Sequence, residues 1–281
     1  MCFVCQKKHD EIEENRMNEQ PKNQPKKENA LAQKEGRIYF ISDAHLGSRL
    51  IENPREHEKR LVDWLDIVKS DAAAIYMLGD MFDFWFEYKT VVPKGHVRFL
   101  GKLAELADAG IEIHFFTGNH DLWTFGYLEK EIGLIVHREP CEITLGDKRF
   151  FLAHGDGLMV DDDIKFRFIR KIFHSRFCQW LFRLIPPQIG QEFGFRWSMN
   201  NRKKMLSVEN KFYGEDKEHA VVFSKKYIEH HAVDFFIFGH RHILLDFMLP
   251  NKSRVIILGD FIDIFSYGVF DGKEFRLEIF E

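Results

Sequence analysis

The chain has 281 residues, 45% hydrophobic and 30% charged, which supports a sizeable core and excludes generic disorder and a purely fibrous class. Forty basic against 44 acidic residues leave a formal charge of -4, without the basic excess of a nucleic-acid coat, and Phe, at 29 residues against 5 Trp and 7 Tyr, is abundant enough that some is expected to face a ligand. No run reaches the roughly 18 apolar residues of a spanning helix and no apolar h-region follows the N-terminal basic residues, so a cytosolic protein is expected.

Residues 1–36 hold few apolar side chains, two Pro and mixed charge, and are expected to form a disordered tail ahead of a domain over 37–281. Cys2, Cys5 and His9 make a C-x2-C-x3-H spacing there, but a closed zinc site needs four ligands and short motifs recur by accident. With Cys141 and Cys178 the cysteines number four, too few for a disulfide framework. Order is expected to begin with the run RIYFIS at 37–42, which feeds the turn-forming SDAHLGS. A helical pattern from Pro54 to Lys69, a strand over 73–80, a helix near 95–109 and a strand over 111–121 follow. Such alternation predicts a parallel sheet with crossovers. β runs at 141–146 and 148–157, joined through Gly146 and Asp147, predict a hairpin that makes the sheet mixed. Helical periodicity takes over from Asp163 to His231, and strands return in DFFIFGH, ILLDFML, RVIILGD, YGVFD and EFRLEIF. The expected fold class is α/β (α+β): two stacked mixed β-sheets flanked by helices, with a helical cap inserted over about 163–213.

Five predicted strand ends terminate in groups able to bind a divalent metal: Asp43 and His45, Asp80, Asn119 and His120, His154, and His240 and His242. The carboxyl end of a strand is where α/β folds gather ligands, because the sheet is rigid and the loop leaves room for substrate. Residues two apart on extended chain point the same way, so Asp43 with His45 and His240 with His242 can each offer two donors to one place. Taken singly, each is an ordinary turn residue or satisfied histidine. Taken together, mixed N and O donors without a thiolate suit a two-metal site for Mn, Fe or Zn.

The ordered series D-x-H (Asp43, His45), G-D (Gly79, Asp80), G-N-H-D (Gly118 to Asp121), H-G-D (His154 to Asp156) and G-H-x-H (Gly239 to His242) resembles the calcineurin-like metallophosphoesterases over residues 37 to about 262. The resemblance implies one metal on Asp43, His45 and His242, another on Asn119, His154 and His240, and Asp80 between them. Two cations sharing a carboxylate polarise a phosphoryl oxygen and supply hydroxide near neutral pH. His120 is then placed to stabilise phosphorane charge or protonate a leaving oxygen, with Asp121 expected to orient it.

Residues 163–213 hold eleven basic residues against Asp163, Glu192 and Glu209, a net of +8, so the rest of the chain carries -12. The same interval holds eleven aromatics, and Phe166, Ile169, Phe173, Phe177, Trp180 and Leu184 step by three or four, predicting one apolar helical face. A basic amphipathic helix suits an anionic membrane surface or the wall of an acyl-chain pocket. A helix merely packed on the sheet predicts fewer aromatics and less charge bias. Nucleic acid is not the expected partner, since no RNA-binding signature accompanies the charge.

The segment GDMFDFW at 79–85, the acidic triplet Asp161 to Asp163 after H-G-D and the basic cap resemble the UDP-2,3-diacylglucosamine hydrolases of the lipid A pathway. That implies water attack on the α-phosphorus of a UDP-linked diacylated glucosamine, releasing UMP and the lipid 1-phosphate. It also implies manganese as cofactor and a peripheral place on the cytoplasmic face of the inner membrane. Asp162, Ser198, Asn200 and Lys203, with Asn119, His120 and His240 at the phosphates, become the candidate substrate-binding residues. One departure stands out: the best-known members read G-N-R-D where this chain has His120. The alternatives are another nucleotide-diphosphate lipid or phosphodiester as substrate, and a non-catalytic scaffold, which the filled ligand positions disfavour.

Overall fold

The computed structural model describes residues 26–27, 36–158, 164–206 and 211–281, of which 26–27, 164–167 and 201–206 are described by backbone alone. The expected tail therefore lies largely outside the described residues. Two of its residues, β1 (Lys26–Lys27), pair in parallel with Cys141 and Glu142.

The chain then alternates as its patterns predict. β2 (Arg37–Ile41) is followed by α1 (Pro54–Val68), β3 (Ala72–Met77), α2 (Val97–Asp108) and β4 (Glu112–Phe116). α1 starts where Asn53 caps the Glu56 N–H and Pro54 supplies a preset φ, and it buries Leu61, Trp64, Leu65 and Val68, one stripe at helical spacing. A short strand absent from the sequence reading, β5 (Ile135–His137), closes this half, and β6 (Cys141–Leu145) with β7 (Lys148–Ala153) forms the hairpin. Three helices follow, α3 (Ile164–His174), α4 (Arg176–Arg183) and α5 (Pro187–Leu206), before α6 (His219–Tyr227). The chain ends in β8 (Phe235–Phe238), β9 (Leu244–Met248), β10 (Arg254–Leu258), β11 (Ser266–Phe270) and β12 (Phe275–Ile279).

Two six-stranded mixed sheets result, ordered β12-β11-β2-β3-β4-β5 and β1-β6-β7-β8-β10-β9. Period-2 alternation sorts the side chains into layers. Phe40, Tyr76, Phe150, Phe235, Phe270 and Phe275 fill the space between the sheets. Tyr39, Ile41, Ile75 and Met77 meet α1 and α2 on one outer face, while Phe236, Phe238, Val255 and Ile257 meet Ala220 and Val221 of α6 on the other. Among the described residues fourteen of the chain's 29 Phe are buried in the body of the sandwich, so about half of its Phe is structural.

One correction concerns the cap. The apolar stripe expected to run from Phe166 to Leu184 on one helix is broken at Ser175, whose hydroxyl caps the N–H of Cys178 and starts α4 in a new direction. Phe168, Phe177, Trp180 and Leu184 are exposed rather than packed on the sheet. The inner side of the cap is held by Trp123, which stacks on Phe173 and donates its indole N–H to the Phe173 carbonyl at 2.9 Å, and by Phe182 against Phe86 and Trp123.

Candidate metal centre

β2, β3 and β4 run parallel in one sheet, and β7 and β8 run parallel in the other. Their carboxyl ends meet at one rim, where Gly239 N–H donates to the His154 carbonyl and His240 N–H to Asp43 Oδ2, both at 2.9 Å. The chain must turn sharply here. Of the eight non-glycine residues with positive φ among those described, five are sequence-predicted ligands: Asp43 (53°), His45 (43°), Asp80 (53°), His240 (69°) and His242 (43°). A left-handed backbone costs about 1–3 kcal/mol in a residue with a Cβ, and such strain persists where surrounding structure compels it. Hydrogen bonds from Asp43 N–H to the Gly79 carbonyl and from His45 N–H to the Asp80 carbonyl, at 3.1 and 2.9 Å, do so here. At Gly118 any Cβ would lie 2.2 Å from Asp80 Oδ1, so only glycine permits the two loops to approach this closely.

The predicted donors assemble as two sets around one carboxylate. Asp43 Oδ1 stands 3.4 Å from His242 Nε2 and 3.7 Å from His45 Nε2. Asp80 Oδ2 lies 3.7 Å from His45 Nε2 and 3.3 Å from His154 Nε2, and Asn119 Oδ1 is 3.3 Å from the same His154 nitrogen. His240 joins Asp80 and His154 in one group. Two donors each about 2.1 Å from a common ion stand about 3.0–3.4 Å apart, so these spacings fit ions better than direct hydrogen bonds.

The outer contacts point the same way. His154 Nδ1 donates to the Leu78 carbonyl at 2.8 Å, His242 Nδ1 lies 3.2 Å from Asp260 Oδ2, and His45 Nδ1 lies 3.4 Å from Asp83 Oδ1. An acceptor behind Nδ1 fixes the tautomer and turns the Nε2 lone pair inward, as metal-ligating histidines require. The fully buried Asp43 Oδ1 has no hydrogen-bond partner, which is costly unless a cation satisfies it. Burial works against the charged forms of Asp80 and His154, yet their mutual attraction, with His120 and His45 helping Asp80, holds Asp80 well below the usual carboxylate range and His154 well above the usual imidazole range. Burial and the neighbouring His154 push His240 down to about 4, leaving it neutral and able to ligate. The donor set fits a pair of hard or borderline divalent cations.

His120 sits beside this cluster, its Nε2 3.9 Å from Asp80 Oδ2 and its Nδ1 2.9 Å from the Asp83 carbonyl. Asp121 does not orient it, contrary to expectation. Neighbouring residues diverge, and the Asp121 carboxylate turns away to accept the N–H groups of Gly118 (2.7 Å), Met81 (2.8 Å), Asp80 and Phe82 (both 3.3 Å). Burial first, then the charge of Asp80, raises its pKa to about 7 against the opposing N–H bonds.

The cap candidates divide. Ser198 is buried on α5 and, with Asp83, Asn119 and His120, lines a small cavity whose other walls include Trp123, Phe173, Phe193 and Trp197. Asn200 is exposed on the same helix, Lys203 is placed by backbone only, and Asp162 lies outside the described residues. Sequence reasoning missed the roles of Asp83 and Asp260. Asp83 stands inside the quoted GDMFDFW segment, and Asp260 ends β10 in a Gly-Asp pair like that of Gly79 and Asp80, so strand-end position was an available signal. Asp260 accepts the N–H groups of Ile262, Asp263 and Ile264; burial works against its charge, but His242 and the N–H groups of Asp263 and Ile264 outweigh it and hold its pKa down to about 2.

The calcineurin-like phosphoesterase family model matches residues 36–244. A relative named UDP-2,3-diacylglucosamine hydrolase from Porphyromonas gingivalis is 43% identical over 256 residues, covering 87% of this chain and 98% of its own. Relatives of the same name from Aeromonas salmonicida and Haemophilus influenzae are 31% and 30% identical, over 85% and 79% of this chain and 91% and 89% of theirs. Five matching strand-end motifs, gathered into one buried donor cluster, and these similarities make the chain a member of the calcineurin-like phosphoesterase family.

Proposed function

We propose that this chain hydrolyses the pyrophosphate of UDP-2,3-diacylglucosamine by water attack at the α-phosphorus, giving UMP and 2,3-diacylglucosamine 1-phosphate for lipid A biosynthesis, with Mn2+ in both metal positions. The observation that carries the reading is an adjacency. Asn119 and His120 of the donor cluster stand in the wall of the same cavity as Phe84, Trp123, Phe173, Phe193 and Trp197, so phosphate chemistry borders an apolar slot under a cationic cap. The 43% identity to a relative bearing that activity in its name supports the same substrate.

Asp43, His45, His242 and Asp80 would hold one cation and Asp80, Asn119, His154 and His240 the other. Bound there, the pair supplies Lewis-acid activation of the phosphoryl group and a water acidic enough to attack near neutral pH. The Asp83 carbonyl can only accept, so His120 carries a proton on Nδ1 and presents Nε2 toward the phosphate position. Burial, against the opposing pull of Asp80, lowers the pKa of His120, so the second proton at Nε2 would come with a bound phosphate whose charge favours it; in that state the ring would stabilise charge there or hand a proton to the departing lipid phosphate.

Membrane-surface docking on the cytoplasmic face is part of the proposal. It is supported by the exposed Phe168, Phe177, Trp180, Leu184 and Ile189 on a cap rich in Arg and Lys, a combination suited to an anionic interface. No helix among the described residues is long and apolar enough to cross a membrane.

Purified protein with Mn2+ is expected to release UMP from UDP-2,3-diacylglucosamine, and Asp80→Ala, which removes the shared carboxylate, is expected to reduce turnover to background. Rapid hydrolysis of soluble phosphodiesters with no UMP release would overturn the substrate and leave a phosphoesterase of another specificity. Unchanged turnover in Asp80→Ala would overturn the two-metal site.

A further inference from the structure

The loop that carries Asn119 borders two cavities. Asn119, His120 and Trp123 face the apolar slot, Thr117 and Gly118 face a second cavity of about 350 Å³, and Leu122 belongs to both walls. Helix α3 borders the same pair: Phe173 lines the slot, whereas Arg170 and His174 line the second cavity. Positions 170 and 174 share a helix face, and 173 is turned by about 100° from 174, so one helix serves both sides.

We propose that this second cavity is the nucleotide subsite, which holds the ribonucleoside monophosphate half of the substrate, with the acyl half on the side of the slot, whose own volume of about 40 Å³ is too small to enclose it. The inference rests on the reading of the substrate as a nucleoside-diphosphate lipid. The wall chemistry argues for a nucleotide rather than a bare phosphate. Arg170 and His174, with Arg138 beyond its pair with Glu129, supply cationic or imidazole donors; Glu139 and Asp156 supply acceptors for ribose hydroxyls, and Phe223 and Tyr227, backed by the buried Phe151, supply an apolar wall for a base. The volume lies in the range of sites that enclose a small ligand. His154, one of the predicted ligands, stands in the wall of this cavity, so a phosphate at the donor cluster would join the two halves. A third cavity, of about 320 Å³ beside His242, is a poorer host for a diphosphate because Asp260 and Asp263 oppose its one lysine, Lys211.

The test is product inhibition of the full chain loaded with Mn2+, acting on UDP-2,3-diacylglucosamine. UMP is expected to inhibit competitively and at least tenfold more tightly than inorganic phosphate. Arg170→Ala and His174→Ala are each expected to raise the UMP inhibition constant at least fivefold, and both together more. Lys273→Ala, which removes a surface charge on the turn between β11 and β12, is expected to leave that constant within twofold. Wild-type protein that cleaves the substrate and is inhibited by UMP, with the same inhibition constant in both cavity variants, would overturn the subsite alone. Inhibition by inorganic phosphate as tight as by UMP would also overturn it. Wild-type protein that releases no UMP would overturn the functional reading on which the subsite rests.

Discussion

Asp121 accepts main-chain hydrogen bonds from two loops that are distant in sequence, those of Asp80, Met81 and Phe82 after β3 and that of Gly118 after β4. Its carboxylate is engaged by these four bonds, which hold the loops of Asp80 and Asn119 at a fixed separation. Truncation would leave these buried N–H groups without an acceptor at about 1–3 kcal/mol each, and the two shorter bonds dominate. Asp121→Ala is therefore expected to lose about 3 kcal/mol or more in urea unfolding and to bind less than two equivalents of Mn2+ by elemental analysis. A variant with wild-type stability and full metal content would show that the loops hold themselves. The motif G-N-H-D marked Asp121 as part of the site, but its job could not be read from sequence. Three of its four partners lie about 40 residues away, and adjacency to His120 suggested the wrong one. The donor cluster was legible for the opposite reason: each of its members follows an apolar run, and the carboxyl ends of the parallel strands converge.

The cap was legible as helical and basic, because periodicity and charge are local properties, but not as three helices. A stripe repeating every three or four residues passes through Ser175 without interruption, and the cap that ends one helix and starts the next is a single hydroxyl. Its docking depends on small residues in α5. A Cβ on Gly194 would fall 2.3 Å from the Phe84 ring, which Trp123, Phe182 and Phe195 surround, and one on Gly190 would fall 2.2 Å from the Tyr88 hydroxyl. Arg49, just after the first ligand loop, pairs with Glu192 of α5 through both guanidinium nitrogens and lies over the Phe195 ring, tying the cap to the metal-bearing body. Gly194→Ala improves helix propensity by up to about 1 kcal/mol, but overpacking of this kind costs about 1–3 kcal/mol, so the clash wins. The expected outcome is a Michaelis constant for the lipid substrate raised at least threefold, with two metals still bound. An unchanged Michaelis constant would mean that Phe84 moves aside freely.

At the scale of the whole molecule, the layer between the sheets is built of aromatic and aliphatic side chains, and β4 contributes His114 to it. Its ring stacks on Tyr76 at 4.2 Å and its Nδ1 lies 2.9 Å from His137 Nε2, while Glu112 is 3.6 Å from its other nitrogen. Burial, followed by the neighbouring His137, pushes its pKa down to about 3. The unfolded chain, with an ordinary histidine pKa near 6.5, binds a proton between those two values that the folded chain refuses. Stability contributed by this group is thus intact above about pH 6.5 and falls as the pH drops toward 3. At 1.36 kcal/mol per unit, lowering the pH from 7.5 to 5 costs about 2 kcal/mol through this one imidazole. Both sheets depend on the layer that it interrupts, so the loss should appear as global unfolding rather than local fraying. His114→Gln, which keeps a hydrogen-bonding group without a titratable one, is expected to lose less stability than the wild type between pH 7.5 and 5, measured from urea unfolding at the two values. Equal losses in the two proteins would assign the acid sensitivity to other groups.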